Sequence, residues 1–142
     1  MGLDTVDYFM KIAEIVKLRS DCQRGKVGAV FVLDKRIVAT GYNQSPSKMK
    51  HCSEVGCFIQ HGHCIRSIHG EVNGILNATI AGQTLVNSTL YVTTFPCLRC
   101  LMALRNAQVS KIVYKEPYKY DDYIKPLLEE LRPHFEWEKY IR

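Results

Sequence analysis

At 142 residues and 46% hydrophobic content, the chain can bury a sizeable core without disulfide or metal staples, and one domain over residues 1–142 is expected. No apolar run approaches the roughly 18 residues that span a bilayer, and the N-terminus lacks the basic-then-apolar layout of a secretory leader. Membrane classes are therefore set aside and a cytoplasmic setting is expected, the host cytoplasm for a viral chain. A formal charge of +5 and a pI near 8.9 suit phosphate-bearing partners. Because Lys and Arg are scattered along the chain, an anionic small molecule fits at least as well as nucleic acid.

Asp4 or Thr5 can cap an opening helix whose apolar residues Val6, Phe9, Ile12, Ala13 and Val16 recur at threes and fours, ending near Arg19. Val27–Leu33 and Arg36–Tyr42 are β-rich runs separated by Asp34-Lys35, the spacing of a two-residue hairpin. Residues 43–62 show little periodicity and form a loop long enough to need a reason, such as a lid or a metal clip. Ile65, Ile68, Val72, Ile75, Leu76 and Ile80 then predict a helix from about Cys64 to Ala81. A short buried strand, Thr89–Thr93, leads to a helix over Leu98–Ala107 with Pro96 suited to its first turn, and Lys111–Tyr114 gives another strand. A last helix, Ile124–Leu131, precedes an edge strand over Phe135–Glu138. The order α-β-β-α-β-α-β-α-β implies a mixed sheet sandwiched by helices.

Two short motifs carry chemistry. Cys97 and Cys100 lie three apart, so both sulfurs face one ion from the first helical turn, where the helix N-terminus also favours thiolates. Alone, Cys-x-x-Cys is also compatible with a redox pair or half a zinc knuckle. His69 supplies a third ligand, and Glu71 remains as an unligated carboxylate. Structural zinc closes its tetrahedron with four protein ligands, whereas catalytic zinc keeps one position for water. On an ideal helix two residues subtend about 200°, so His69 and Glu71 converge only if His69 stands at the helix start, with 64–68 loosely helical at most. Such a site lowers the pKa of water towards about 7, and Glu71 can relay its protons.

His-x-Glu with Pro-Cys-x-x-Cys is the pattern of zinc-dependent nucleobase deaminases. With Lys26-Val27-Gly28-Ala29-Val30, Gly41-Tyr42-Asn43, Glu71-Val72-Asn73 and Tyr91-Val92-Thr93, the chain resembles the deoxycytidylate (dCMP) deaminase family of the cytidine deaminase superfamily over most of its length. It departs from that family at Gly70 and Gly74, where Ala is usual, and at Gln44, where a Gly is usual; two helical glycines cost roughly 1 kcal/mol each against Ala. The resemblance implies a three-layer αβα fold with a mixed five-stranded sheet, zinc-dependent conversion of dCMP to dUMP, and a homo-hexamer. It also implies activation by dCTP with Mg²⁺ and inhibition by dTTP. Gly41, Tyr42, Asn43 and Asn73 would lie near substrate or effector, and Tyr120 would line the site. Lys26 is a candidate phosphate contact from its spacing, or a solvated strand-end lysine.

Cys22, Cys52, Cys57, His61, His63 and Cys64 remain, five of them within residues 52–64, in and just after the long loop. A second, structural zinc on Cys22, Cys52, Cys57 and His63, with Cys64 as the rival ligand, would tether that loop to the first helix, as in some bacterial and phage relatives. The alternative is free buried cysteines beside solvated histidines. Two other functions stay open: a tRNA or single-stranded nucleic-acid deaminase with the same zinc chemistry, and a non-catalytic zinc-stabilised binding module.

Overall fold

The computed structural model describes residues 2–142, and none of the helices among them is long and apolar enough to cross a membrane. The opening helix α1 runs Thr5–Lys17, and Asp4, rather than Thr5, caps it by accepting from the Asp7 N–H at 2.8 Å. Strands β1 (Gly28–Leu33) and β2 (Arg36–Tyr42) form the expected hairpin. Asp34 and Lys35 turn it with φ of 51° and 65°, the left-handed pair that a type I′ turn requires.

The remaining main-sheet strands are β5 (Thr89–Thr94), β6 (Lys111–Glu116) and β7 (Glu136–Lys139), in the order β2-β1-β5-β6-β7. Helix α4 (Leu98–Asn106) crosses from β5 to its parallel neighbour β6, and α5 (Lys125–Leu131) crosses from β6 to parallel β7. The other two pairings are antiparallel, which makes the sheet mixed. Alternation along β1 and β5 sends side chains to two cores. Val30, Val32 and Tyr91 pack with Phe9, Met10 and Ala13 of α1, whereas Ala29, Phe31, Leu90 and Val92 pack with Ala78, Leu101 and Leu104 on the opposite face. Helices therefore cover both faces, as a three-layer αβα fold requires.

Three boundaries differ from expectation. Helix α3 spans only Gly70–Ile80, because residues 65–69 follow a small strand and Ile68 pairs its backbone with Gln44. Pro96 lies outside α4, whose N-cap is Cys97. The 43–62 loop is not structureless: it holds a single-turn helix α2 (Cys52–Val55), and β3 (Ile59–Gln60) pairs with β4 (His63–Cys64) across a tight turn at His61 and Gly62.

The glycines of α3 have a packing reason. A Cβ on Gly74 would lie 2.3 Å from Phe31 Cε2, and one on Gly41 would lie 2.2 Å from the Gly70 carbonyl oxygen and 2.3 Å from Gly74 N. Gly41 is therefore where β2 touches α3 backbone to backbone, which accounts for it without a nucleotide contact. Gly74→Ala should lower Tm by a few degrees, since overpacking of about 1–3 kcal/mol exceeds the roughly 1 kcal/mol gained in helix propensity. Gly41→Ala should lower it further, because backbone on both sides cannot swing away. A thermal melt in which Gly74→Ala is stabilised would show that propensity dominates instead.

Candidate active site

The N-termini of α3 and α4 converge at the carboxyl end of β5, the place where open α/β sheets bind ligands. His69 is the N-cap of α3 with extended backbone (φ −63°, ψ 148°), and this departure from helix lets it converge with Glu71. Cys97 is the N-cap of α4 and Cys100 lies one turn on. His69 Nδ1 stands 3.5 Å from Cys97 Sγ and 3.4 Å from Cys100 Sγ. A tetrahedral zinc bound at about 2.3 Å to sulfur and about 2.0 Å to nitrogen separates those atoms by about 3.5 Å, so the donor set fits the ion.

The charges point the same way. The hydrogen bond from Cys100 holds the Cys97 thiol down at about 4, with His69 adding to the effect. That same bond, together with burial, pushes Cys100 up. Two adjacent thiolates repel, so both ionise together when a cation lies between them. The bond to Cys97 raises His69. Glu71, only 4% exposed, is pushed up to about 7 by burial, against its own backbone N–H and His69.

A cavity of about 140 Å³ opens onto Glu71, His69 and Cys97. Asn43 lines it, 8% exposed and locked in place: its Oδ1 accepts from the Val27 N–H at 2.8 Å, its Nδ2 donates to the Gly25 carbonyl at 2.7 Å, and its own carbonyl accepts from Ser20 Oγ at 2.7 Å. Val27, Thr94, Phe95 and Tyr118 complete the walls. These four were not picked out from sequence, where their position at strand ends was the available signal.

The other expected residues are distributed differently. Tyr120 lines a wider outer cleft of about 660 Å³, and its hydroxyl donates to the Pro96 carbonyl, buttressing the segment before Cys97; Tyr118 is the tyrosine of the inner cavity. Asn73 donates to the carbonyls of Tyr42 (2.9 Å) and Ile68 (3.4 Å). With Tyr42 it faces a separate polar cavity of about 420 Å³ that also holds Gln44, Ser45, Lys48 and His51. Lys26 is exposed and lines none of these cavities, because Val27 turns inward and strand alternation sends its neighbour out.

The sulfurs of Cys52, Cys57 and Cys64 all lie within 4.8 Å of one another. His63 is not part of this group: in β4 it points to the opposite face from Cys64, so Cys64 takes the place expected of His63. Cys22 is buried and lines a cavity beside Cys64, outside the three-sulfur group. Two sulfurs on one tetrahedral zinc lie about 3.8 Å apart, and Cys52 and Cys64 are separated by 3.8 Å.

Residues 3–116 match the family described as the cytidine and deoxycytidylate deaminase zinc-binding region. The chain is 39% identical to ComE operon protein 2 of Bacillus subtilis over 87% of its own length and 65% of that protein's. It is 36% identical to the deoxycytidylate deaminase of Saccharomyces cerevisiae over 81% of this chain and 38% of the yeast protein. It thus spans less than two thirds of either relative. The crystal structure of a cyanophage S-TIM5 dCMP deaminase in complex with dCMP and dUMP superposes with a TM-score of 0.83 at 30% identity, covering 99% of both chains.

Proposed function

Because this chain belongs to the cytidine and deoxycytidylate deaminase family, we propose that it hydrolyses dCMP to dUMP and ammonia, with His69, Cys97 and Cys100 holding zinc and Glu71 moving the protons. The observation that carries this reading is the buried Glu71 carboxylate beside a three-donor set that leaves one tetrahedral position unfilled by protein. Bound zinc supplies Lewis-acid chemistry that makes water a nucleophile at neutral pH. Glu71 accepts the first proton of the attacking water and passes it to ring N3, where it stays in the product. It then takes the second proton and delivers it to the departing amine as the C4–N bond breaks, so one water supplies the C4 oxygen, the N3 proton and the third hydrogen of ammonia. Asn43 and Tyr118 flank the ring, and the walls from Thr94 and Phe95 exclude bulk water.

Zinc-replete protein should release ammonia from dCMP faster than from deoxycytidine, dCTP or tRNA. Release from tRNA alone would replace this reading with the nucleic-acid one, and release from none would leave a non-catalytic module.

The proposal extends to a second zinc on Cys52, Cys57 and Cys64, with Cys22 the candidate fourth ligand, holding the 43–64 segment against the end of α1. Freshly purified, unstripped protein should then contain two zinc ions per chain; one per chain contradicts the second site. Regulation by dCTP with Mg²⁺ and by dTTP is assigned to the polar cavity at Tyr42 and Asn73. Support comes from Lys48 and from Gln44 Oε1 and Ser45 Oγ, both buried with no hydrogen-bond partner among the described residues. A homo-hexamer would cover the exposed apolar side chains of Leu76, Ile80 (84% exposed) and Met102 on α3 and α4.

A further inference from the structure

Resting in part on the second-zinc reading above, we infer that Cys52 and Cys64 form a reversible oxidation site, a dithiol that a hydroperoxide converts to a disulfide and that gives up its metal in doing so. The group of His69, Cys97 and Cys100 has an imidazole in it and the buried Glu71 beside it, whereas Cys52, Cys57 and Cys64 bring sulfur alone. Sulfur alone offers no proton relay for hydrolysis; its own chemistry is two-electron oxidation. All three are unlinked thiols. The sulfurs of Cys52 and Cys64 are 3.8 Å apart, and a disulfide bond is about 2.05 Å, a gap that side-chain rotation closes. Cys57, within 4.8 Å of both, is the competing partner.

Exposure divides the roles. Cys52, at the start of α2, is 2% exposed, while Cys64 in β4 is partly exposed, so peroxide meets Cys64 first. The Cys64 sulfur attacks one peroxide oxygen, the O–O bond breaks, and Cys64 sulfenic acid and one water form. The Cys52 sulfur then attacks the Cys64 sulfur, the S–O bond breaks, and the departing hydroxide leaves with the Cys52 proton as a second water. Two thiols are oxidised by two electrons in total and one peroxide is reduced; a dithiol reductant reverses the step. Local packing allows the movement. None of residues 43–69 belongs to either hydrophobic core, and polar ties hold the segment instead: Asp21 accepts from Ser53 Oγ at 2.8 Å and pairs with His51 at 3.0 Å, and Arg24 donates to the Gly62 carbonyl at 3.0 Å. A close-packed core would resist such a shift.

The test treats zinc-loaded, full-length protein with hydrogen peroxide, blocks the remaining thiols by alkylation in denaturant, digests with trypsin and maps the peptides by mass spectrometry while a chromogenic chelator counts released zinc. Lys50 and Arg66 place all three cysteines on one tryptic peptide, 51–66, whereas Arg99 separates Cys97 from Cys100. The expected product is peptide 51–66 lacking two hydrogen atoms, with the alkyl group on Cys57 alone, and restored to three alkylated thiols by dithiothreitol. One zinc per chain should be released as the cross-link forms, with the zinc on His69, Cys97 and Cys100 retained. Cys57→Ser should still form the cross-link and Cys64→Ser should not; if either variant does not fold, the position of the alkyl group in wild-type protein decides. An alkyl group on Cys52 or Cys64 instead, sulfinic or sulfonic acid without a cross-link, or a Cys97–Cys100 link formed before any in peptide 51–66 would each overturn the site. A Cys52–Cys64 link with no zinc released upholds the oxidation site and overturns the second-zinc reading alone.

Discussion

Glu71→Gln is expected to yield a folded protein that still carries zinc on His69, Cys97 and Cys100 but turns over dCMP about 10²–10⁴-fold more slowly, the range for one general acid–base group. Glu71 does not belong to the three-donor set, so metal content should not depend on it. Its carboxyl is buried at the N-terminus of α3, where Gln fits the same volume and keeps hydrogen-bonding capacity. What Gln lacks is a site for the proton that must leave water, pass to N3 and reach the amine. The loss should therefore fall on kcat more than on KM, because Asn43 and Tyr118, which line the inner cavity, are left in place. Metal analysis beside steady-state kinetics checks both halves; normal turnover in the zinc-loaded variant would remove Glu71 from the chemistry.

Cys100→Ser should be as severe by a different route. Cys100 is 1% exposed, and its sulfur is 3.4 Å from His69 Nδ1, at the spacing one zinc imposes. A serine hydroxyl is a shorter and harder donor that does not ionise at neutral pH, which leaves His69 and Cys97 as two ligands where three are needed. Zinc should fall by one equivalent per chain, and activity by more than about 10³-fold. The fold should persist, with a lower Tm, because neither hydrophobic core includes the side chains of His69, Cys97 or Cys100. The zinc that remains should be the one assigned to Cys52, Cys57 and Cys64. Full activity with zinc retained would exclude Cys100 as a ligand.

The grouping of His69, Glu71, Cys97 and Cys100 could be read from sequence because it is built from local spacings. Cys97 and Cys100 sit one turn apart at a helix start, and the His69-to-Glu71 spacing forces that pair to the start of α3, where the structure has them. The second cluster was only half readable. Cys52, Cys57 and Cys64 stand close together in the sequence, but the choice between His63 and Cys64 depends on which face each takes in a four-residue hairpin, and one residue of register exchanges them.

The sequence pattern overextends helix α3 because Ile65 and Ile68 mimic its period. In the fold Ile65 is 54% exposed, and Ile68 belongs to a backbone bridge with Gln44. Nothing local marks Gly74 as a close-approach site either, because Phe31 arrives from a strand more than forty positions away. The same holds for Tyr118 against Tyr120. Both follow β6, their rings lie 4.9 Å apart, and only the tertiary fold decides which faces Glu71.

The most direct measurement is turnover of dCMP in ¹⁸O-labelled water, with the oxygen at C4 of the product followed by mass spectrometry and ammonia counted in parallel. Hydrolysis at a Glu71-assisted zinc site gives dUMP with one labelled oxygen and one ammonia per turnover. Protein loaded with zinc that yields neither labelled dUMP nor ammonia contradicts deamination at this site.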